Sequence, residues 1–328
     1  MSQPRVVSGM RPTGKLHLGH LVGALRNWAA LQEKYDCFYF VADWHALTSD
    51  YANTGPITGY ALDNVADWLA AGVDAERSTI FVQSLVPEHA ELFLLLSMVV
   101  PIPWLERVPT YKEQQEQITD KDLSNLGFLG YPLLQAADVV MYDAKFVPVG
   151  DDQVPHLELS REVVRRFHQF YGEIFVEPQP LLTPVPRLPG LDNRKMSKSY
   201  GNTIDLTDDE ETVVKKVRQM YTDPKRIRAD IPGTVEGNPV FMYHDAFNPD
   251  AAEVEDLKAR YRAGQVGDVE VKTKLARAMN AVLEPMRERR RDIKPEQVRE
   301  IAIEGSKKAR AIAQDTMERV RDAVKLRY

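Results

Sequence analysis

The chain has 328 residues, 44% of them hydrophobic and 27% charged, which is enough volume for one large or two modest domains with a real core. A net charge of −6 gives no overall basic signature of a nucleic-acid binder, and the lone Cys37 excludes a disulfide framework or an intramolecular multi-cysteine metal site. No charged-then-apolar signal segment opens the chain and the longest apolar stretch, 92–100, is too short to span a bilayer, so a cytoplasmic protein with no membrane partner is expected.

Val6, Val7, Ser8 and Gly9 read as a buried strand that breaks at Pro12-Thr13-Gly14 into an amphipathic helix starting near Leu16. A strand turning through glycines into a helix N-terminus can hold phosphate on unpaired backbone N–H groups and the positive end of the helix dipole. His17 and His20 flank Gly19 on the first turn, an H-x-G-H element with no bulky side chain at 19 to block a nucleotide. Gly9 to Lys15 also spells the start of a P-loop. That reading fails, because Leu16 stands where Ser or Thr must hold magnesium and Pro12 removes an amide.

The helix carries Leu18, Leu21, Val22, Leu25 and Trp28 on one face, and the continuous apolar run Cys37 to Ala42 follows as a strand buried on both sides, ending at Asp43-Trp44-His45. A helix entered through Pro56, a strand over Thr79 to Gln83 and a helix opened by Pro87 complete βαβ wiring. The expected class is α/β: a doubly wound parallel sheet of Rossmann type, with ligand at the carboxyl ends of its strands. Leu85 to Leu105 is apolar enough for core or for a homodimer face.

Tyr131 to Tyr142 reads as a helix with Gln135 and Asp138 on one face, where an aspartate among Ala and Val needs a donor partner. Phe146 to Gln153 reads as a strand ending in Gly150, Asp151, Asp152 and Gln153, so both polar clusters face one cleft. Further on, Lys195-Met196-Ser197-Lys198-Ser199 places two lysines in a small polar loop before Gly201, able to close on a polyphosphate. The remainder reads as helical: Thr207 with Glu210 forms a capping box, and helices fit 250–262, 269–291 and 294–325. Residues 1–204 hold 17 basic and 24 acidic groups against 25 and 24 in 205–328, which makes the C-terminal part the side to meet a polyanion. The cluster Arg287–Arg291 is either a solvated helix end or a contact to nucleic-acid phosphate.

The pairing of H-x-G-H with KMSKS resembles class I aminoacyl-tRNA synthetases. SGMRPTGKLHLGH, ADWHALT, YPLLQAADVV, VPVGDDQ and RKMSKS, in this order, look like the tryptophanyl-tRNA synthetase family over the whole chain. The resemblance implies ATP-dependent attachment of L-tryptophan to tRNA(Trp) through a tryptophanyl-adenylate, with ATP entering as its Mg2+ complex. It implies ATP contacts from Arg11, Pro12, Thr13, Gly19, His20, Gly150, Asp151, Asp152, Leu188, Lys195, Met196, Ser197, Lys198 and Ser199, with His17, His20, Lys195 and Lys198 catalytic. Asp138 matches the residue that recognises the indole N–H; Tyr131 and Gln153 match those near the amino group, and Gln135, His45 and Val7 complete the tryptophan site. It further implies a homodimer, a catalytic nucleotide-binding domain over 1–204 with about 291–328 packing back, and a smaller all-helical anticodon-binding domain over about 205–290.

Arg11, His20 and Gln135 depart from the commonest bacterial pattern, which has Gln, Asn and Met there, and so point to a subgroup. Some members of that subgroup hold an iron–sulfur cluster on C-terminal cysteines, which this chain lacks, so neither a cluster nor zinc is expected. The rival is tyrosyl-tRNA synthetase, which shares the Q-x-x-D helix but usually has a Tyr where this chain has Val7, and an apolar wall suits indole better. A non-catalytic RNA-binding relative would have lost some of these groups.

Overall fold

A computed structural model describes residues 3–109, 111, 121–150, 153–182, 188–196, 200–224, 226 and 228–328. By its internal contacts the chain divides into two compact units: Met1–Gly14 with Trp28–Pro184 and Lys294–Tyr328, and Lys15–Asn27 with Val185–Ile293.

The first unit is built on a five-stranded parallel sheet in the order β3-β2-β1-β4-β5: β1 Arg5–Met10, β2 Asp36–Val41, β3 Ser78–Val82, β4 Phe146–Val149 and β5 Gln179–Leu182. The strands β1, β2 and β3 sit within one residue of their expected places, because a run such as Cys37–Val41 that is apolar at every position can be satisfied only by burying both faces, whereas β4 stops at Val149, short of the expected Gln153. On one face Phe38 and Phe40 alternate into the main core beside Val7 and Phe81. On the other, Tyr39 stacks on Trp28 at 4.4 Å and donates its hydroxyl to the Trp28 carbonyl, while Trp68 meets Trp28 edge-on at 5.0 Å. Cys37 lies buried in the same strand, where burial pushes its thiol up to about 11 and leaves it unreactive.

After α1 Leu18–His20 and α2 Arg26–Leu31 in chain order, the described helices of this unit include α3 Asp43–Asp50, α4 Ile57–Ala70, α5 Glu88–Ser97, α6 Ile102–Glu106, α7 Leu126–Val140, α8 Val154–Tyr171 and the last helix, α13 Pro295–Ala323. Strand order reverses between β1 and β4, so crossovers run outward in both directions and leave a crevice at the carboxyl ends of those neighbours. α13 lies along edge strand β3, where Ser306 Oγ accepts the Val82 N–H at 3.1 Å. A Cβ at Gly305 would come 1.8 Å from the Ile80 carbonyl oxygen, so glycine is what lets this helix close on the strand. β5 and α8 are additions to the sequence-based expectation.

Among the described residues the second unit contains the first helical turn after β1, the segments 188–196 and 200–206, and the helices α9 Glu210–Arg218, α10 Pro239–Phe247, α11 Ala251–Arg262 and α12 Asp268–Asp292. Asp209 caps α9 by accepting the Thr212 N–H at 2.7 Å, so the cap lies two residues beyond the expected Thr207. Two buried cations hold the unit together. Arg226 donates to the carbonyls of Ile231, Ala229 and Val266 and packs 4.0 Å over Tyr261, and Lys272 donates to the Met220 carbonyl at 2.6 Å and to Thr222 at 2.8 Å. Arg287 belongs to this internal set, donating to the Asp208 carbonyl at 2.9 Å and to Asn280 at 2.8 Å, so it is a packing residue and not a solvated helix end.

Candidate active site

At the carboxyl ends of β1 and β4 a cavity of about 350 Å³ opens in the first unit. Its lining brings together seven residues singled out from the sequence: Val7, Arg11, His45, Tyr131, Gln135, Asp138 and Gln153. Their sources are different elements: Val7 on β1, Arg11 just beyond it, His45 on α3, Gln153 capping α8, and Tyr131, Gln135 and Asp138 on one face of α7. Apolar walls come from Phe40, Val147 and Val149. A Cβ at Gly9 would fall 2.3 Å from the Phe40 ring, so this glycine lets the aromatic wall stand.

Asp138 is 1% exposed and surrounded by donors. His45 Nε2 lies 2.8 Å from Oδ2, and the Gln83 amide nitrogen spans both oxygens at 2.8 and 2.9 Å. His89 Nδ1 lies 2.7 Å from Oδ1 but off its N–H axis, so that contact is chiefly electrostatic. Burial alone raises the carboxyl, yet the electrostatic pull of His89 and the hydrogen bond from His45 outweigh it, and Asp138 is held below the usual carboxylate range. His45 is itself placed through Asp43 at the start of α3, which accepts the N–H groups of Ser84 and Trp44 at 3.0 Å each.

Arg11 donates to Ser49 and stands 3.9 Å from Asp50. Burial lowers its affinity for its proton, opposed by the neighbouring Asp50 and Tyr131, but a guanidinium stays charged. Its Nε–H is buried with no acceptor among the described residues. Sequence reasoning passed over Gln83, His89 and His156, which are single polar residues in apolar surroundings, and Phe128, which lines the cavity without any motif signal; Thr48 closes the ADWHALT stretch but was assigned no role.

The second unit holds the H-x-G-H turn. His17 caps the helix, its Nδ1 accepting the Gly19 N–H at 3.1 Å, while His20 Nδ1 accepts the His17 N–H at 3.1 Å. The rings lie 3.9 Å apart. Each Nδ1 is an acceptor, so a neutral ring here carries its proton on Nε2. The expectation of unpaired amides in this turn is corrected: Leu18 N–H already binds the Ile204 carbonyl at 3.0 Å, so the imidazoles rather than these amides are what the turn has to offer an anion. A Cβ at Gly19 would meet the His17 ring at 2.9 Å and Met196 Sδ at 3.0 Å. Glycine is thus required by packing between the two motifs, and Leu206 N–H, bonded to the Leu16 carbonyl at 2.9 Å, joins the same two segments.

Lys195 is exposed, with its carbonyl held by the Asn202 amide at 3.1 Å. That amide also reaches Asp192 at 2.8 Å, and with Arg194 it holds the Asp192 carboxyl at about 2. Leu188 is half-buried at the start of this segment; Pro12 is buried, Thr13 exposed, and Gly150 accepts the Gln153 N–H at 3.0 Å. Asp151, Asp152, Ser197, Lys198 and Ser199 lie outside the described residues. Among the described residues no group of three or more His, Cys, Asp or Glu could hold a metal ion, and no helix is long and apolar enough to cross a membrane.

Comparison with known proteins agrees with this geometry. The tryptophan–tRNA ligase of Thermotoga maritima is 51% identical over 327 residues, covering 99% of this chain and 100% of that one. The tryptophanyl-tRNA synthetase of Campylobacter jejuni, solved with ADP and tryptophan, superposes with a TM-score of 0.87 at 33% identity, covering 98% of this chain and 99% of that one. A tyrosyl-tRNA synthetase from Archaeoglobus fulgidus, solved with L-tyrosine, reaches 0.69 at 26% identity, covering 88% and 90%. The family model for class I tRNA synthetases (W and Y) matches residues 1–284, and on this match and these relatives the chain belongs to that family.

Proposed function

We propose that the chain attaches L-tryptophan to tRNA(Trp) in two steps, adenylation and transfer. Asp138 carries this reading. An indole donates one N–H and accepts nothing, so its partner must be an acceptor, and Asp138, held ionised at the edge of an apolar cavity, accepts more strongly than a neutral group would. A phenol hydroxyl would want a polar partner as well, and the β1 wall offers Val7.

In the first step a carboxylate oxygen of tryptophan attacks the α-phosphorus of magnesium-bound ATP, and the bond to the bridging oxygen breaks as pyrophosphate leaves. Catalysis is positioning plus neutralisation of the charge that builds on the leaving group. Lys195 and Lys198 supply that charge, with His17 and His20 donating from Nε2. Pro12, Thr13, Gly19, Met196, Ser197 and Ser199 line the phosphates, and Gly150, Asp151, Asp152 and Leu188 take the adenosine. Arg11, whose buried Nε–H lacks an acceptor among the described residues, is aimed at the carboxylate or α-phosphate. Tyr131 and Gln153 hold the amino group, and Gln135 and His45 flank the indole partner. In the second step a ribose hydroxyl of the 3'-terminal adenosine attacks the mixed-anhydride carbonyl and AMP leaves.

Residues of about 205–290 bind the anticodon, and two copies pair through the 85–105 segment, where Leu94, Met98 and Ile102 are 53%, 69% and 60% exposed. The cytoplasm is where such charging takes place. Charging of a tRNA(Trp) transcript with labelled tryptophan tests the proposal: ATP-dependent, tryptophan-specific product is expected, and a wild-type protein that charges the transcript with tyrosine instead contradicts it.

A further inference from the structure

We infer that His89, which does not reach the cavity, is the positioning residue that fixes the Asp138 carboxylate and so sets the discrimination of the pocket; the inference rests on taking that cavity as the tryptophan site. A carboxylate has about four acceptor positions. Three neighbours claim most of them: Gln83 across both oxygens, His45 on Oδ2 and His89 beside Oδ1. Gln83 bridges the two oxygens and so cannot fix which of them turns toward a ligand. His45 can, but it lines the cavity and is open to disturbance by whatever binds. His89 is completely buried and is held from behind, with Nε2 2.6 Å from the Tyr142 hydroxyl and its ring against Phe40 and Phe81.

The proton inventory of this chain is determined by its ends. Tyr142 is completely buried, and burial together with the charges of Asp138 and Glu88 keeps its hydroxyl protonated. A nitrogen 2.7 Å from a carboxylate oxygen carries a proton even off its N–H axis, since an unprotonated nitrogen would add repulsion at that distance. His89 therefore bears its proton on Nδ1, and in the neutral ring Nε2 accepts from Tyr142. The protonated edge of the His89 ring is in this way the edge that lies beside Oδ1. Glu88 on the same helix is paired at 2.9 Å with Arg310 of α13, which draws its charge away from the cluster.

The test uses the full chain, ATP–pyrophosphate exchange and separate KM values for tryptophan and ATP. His89→Asn keeps an amide nitrogen near the Nδ1 position and loses the Tyr142 contact; His89→Gln does the reverse. We expect His89→Gln to raise the tryptophan KM about 10-fold or more with the ATP KM unchanged, and His89→Asn, which gives up only the Tyr142 contact, to raise it by less. A silent His89→Gln, an impaired His89→Asn beside a normal His89→Gln, or equal losses in both KM values overturns the inference. If either variant fails to fold, Tyr142→Phe keeps the ring and removes the hydroxyl. It should raise the tryptophan KM alone, and an unchanged KM overturns the inference. Asp138→Asn separates the two levels: if it leaves tryptophan kcat/KM intact, the pocket assignment fails; if it is impaired while His89→Gln is silent, only the role of His89 fails.

Discussion

Asp138 is held ionised by its neighbours, and the consequence for stability can be worked out in sign. Its folded pKa is depressed, so the unfolded chain binds the proton more readily. The stabilisation is therefore fully present above the ordinary carboxyl value of about 4 and is lost as pH falls through the lower folded value. Acid unfolding followed by circular dichroism should show this loss, and Asp138→Asn should flatten the dependence below about pH 4. A variant with the same acid profile as wild type would remove Asp138 as a source. For the phosphate loop, Lys195→Ala should lower the adenylation rate on the order of 10²-fold while tryptophan affinity holds, as for loss of one charge-stabilising donor. Pre-steady-state adenylate formation reads both. At this scale the sequence showed Asp138 because a lone acid on an apolar helix face demands a partner. Its partners Gln83 and His89 stayed hidden, because each comes from a different element and looks like an isolated polar residue in a core segment.

Among the elements, most strands and helices with a strong period were legible to within a residue or two, whereas α7 begins at Leu126, five residues before the expected Tyr131. β2 shows why: the apolar run that marks it is the same run that buries both of its faces. β5 was missed because Gln179–Leu182 is short, carries Pro180 and has no alternation, as expected of an edge strand. α10 was missed because it is buried nearly all round, by Val240, Phe241, Tyr243 and Phe247, and so shows no polar face. The contact of α13 with β3 has a direct consequence. Gly305→Ala forces a methyl against the Ile80 carbonyl and should destabilise the protein by about 1–3 kcal/mol or more. Urea unfolding measures this, and an unchanged midpoint would mean the helix is not seated as described.

For the whole molecule, pattern in the sequence separated a sheet-bearing half from a helical remainder, but could not show that the H-x-G-H turn shares a compact unit with the helices. That depends on backbone pairing of Leu16 and Leu18 with Leu206 and Ile204, far away in the chain. A deletion that respects the pairing, residues 210–290 replaced by a short linker, should retain some tryptophan-dependent pyrophosphate exchange and lose charging of tRNA. A folded deletion variant that charges tRNA at the parent rate would exclude an anticodon role for α9–α12. The central claim, that this cavity adenylates tryptophan, is tested most directly by ATP–pyrophosphate exchange on the intact wild-type chain with each of the twenty amino acids. Exchange with tryptophan at an efficiency well above tyrosine and phenylalanine is the predicted result; exchange with tyrosine equal to or above that with tryptophan, or none with any amino acid, would contradict it.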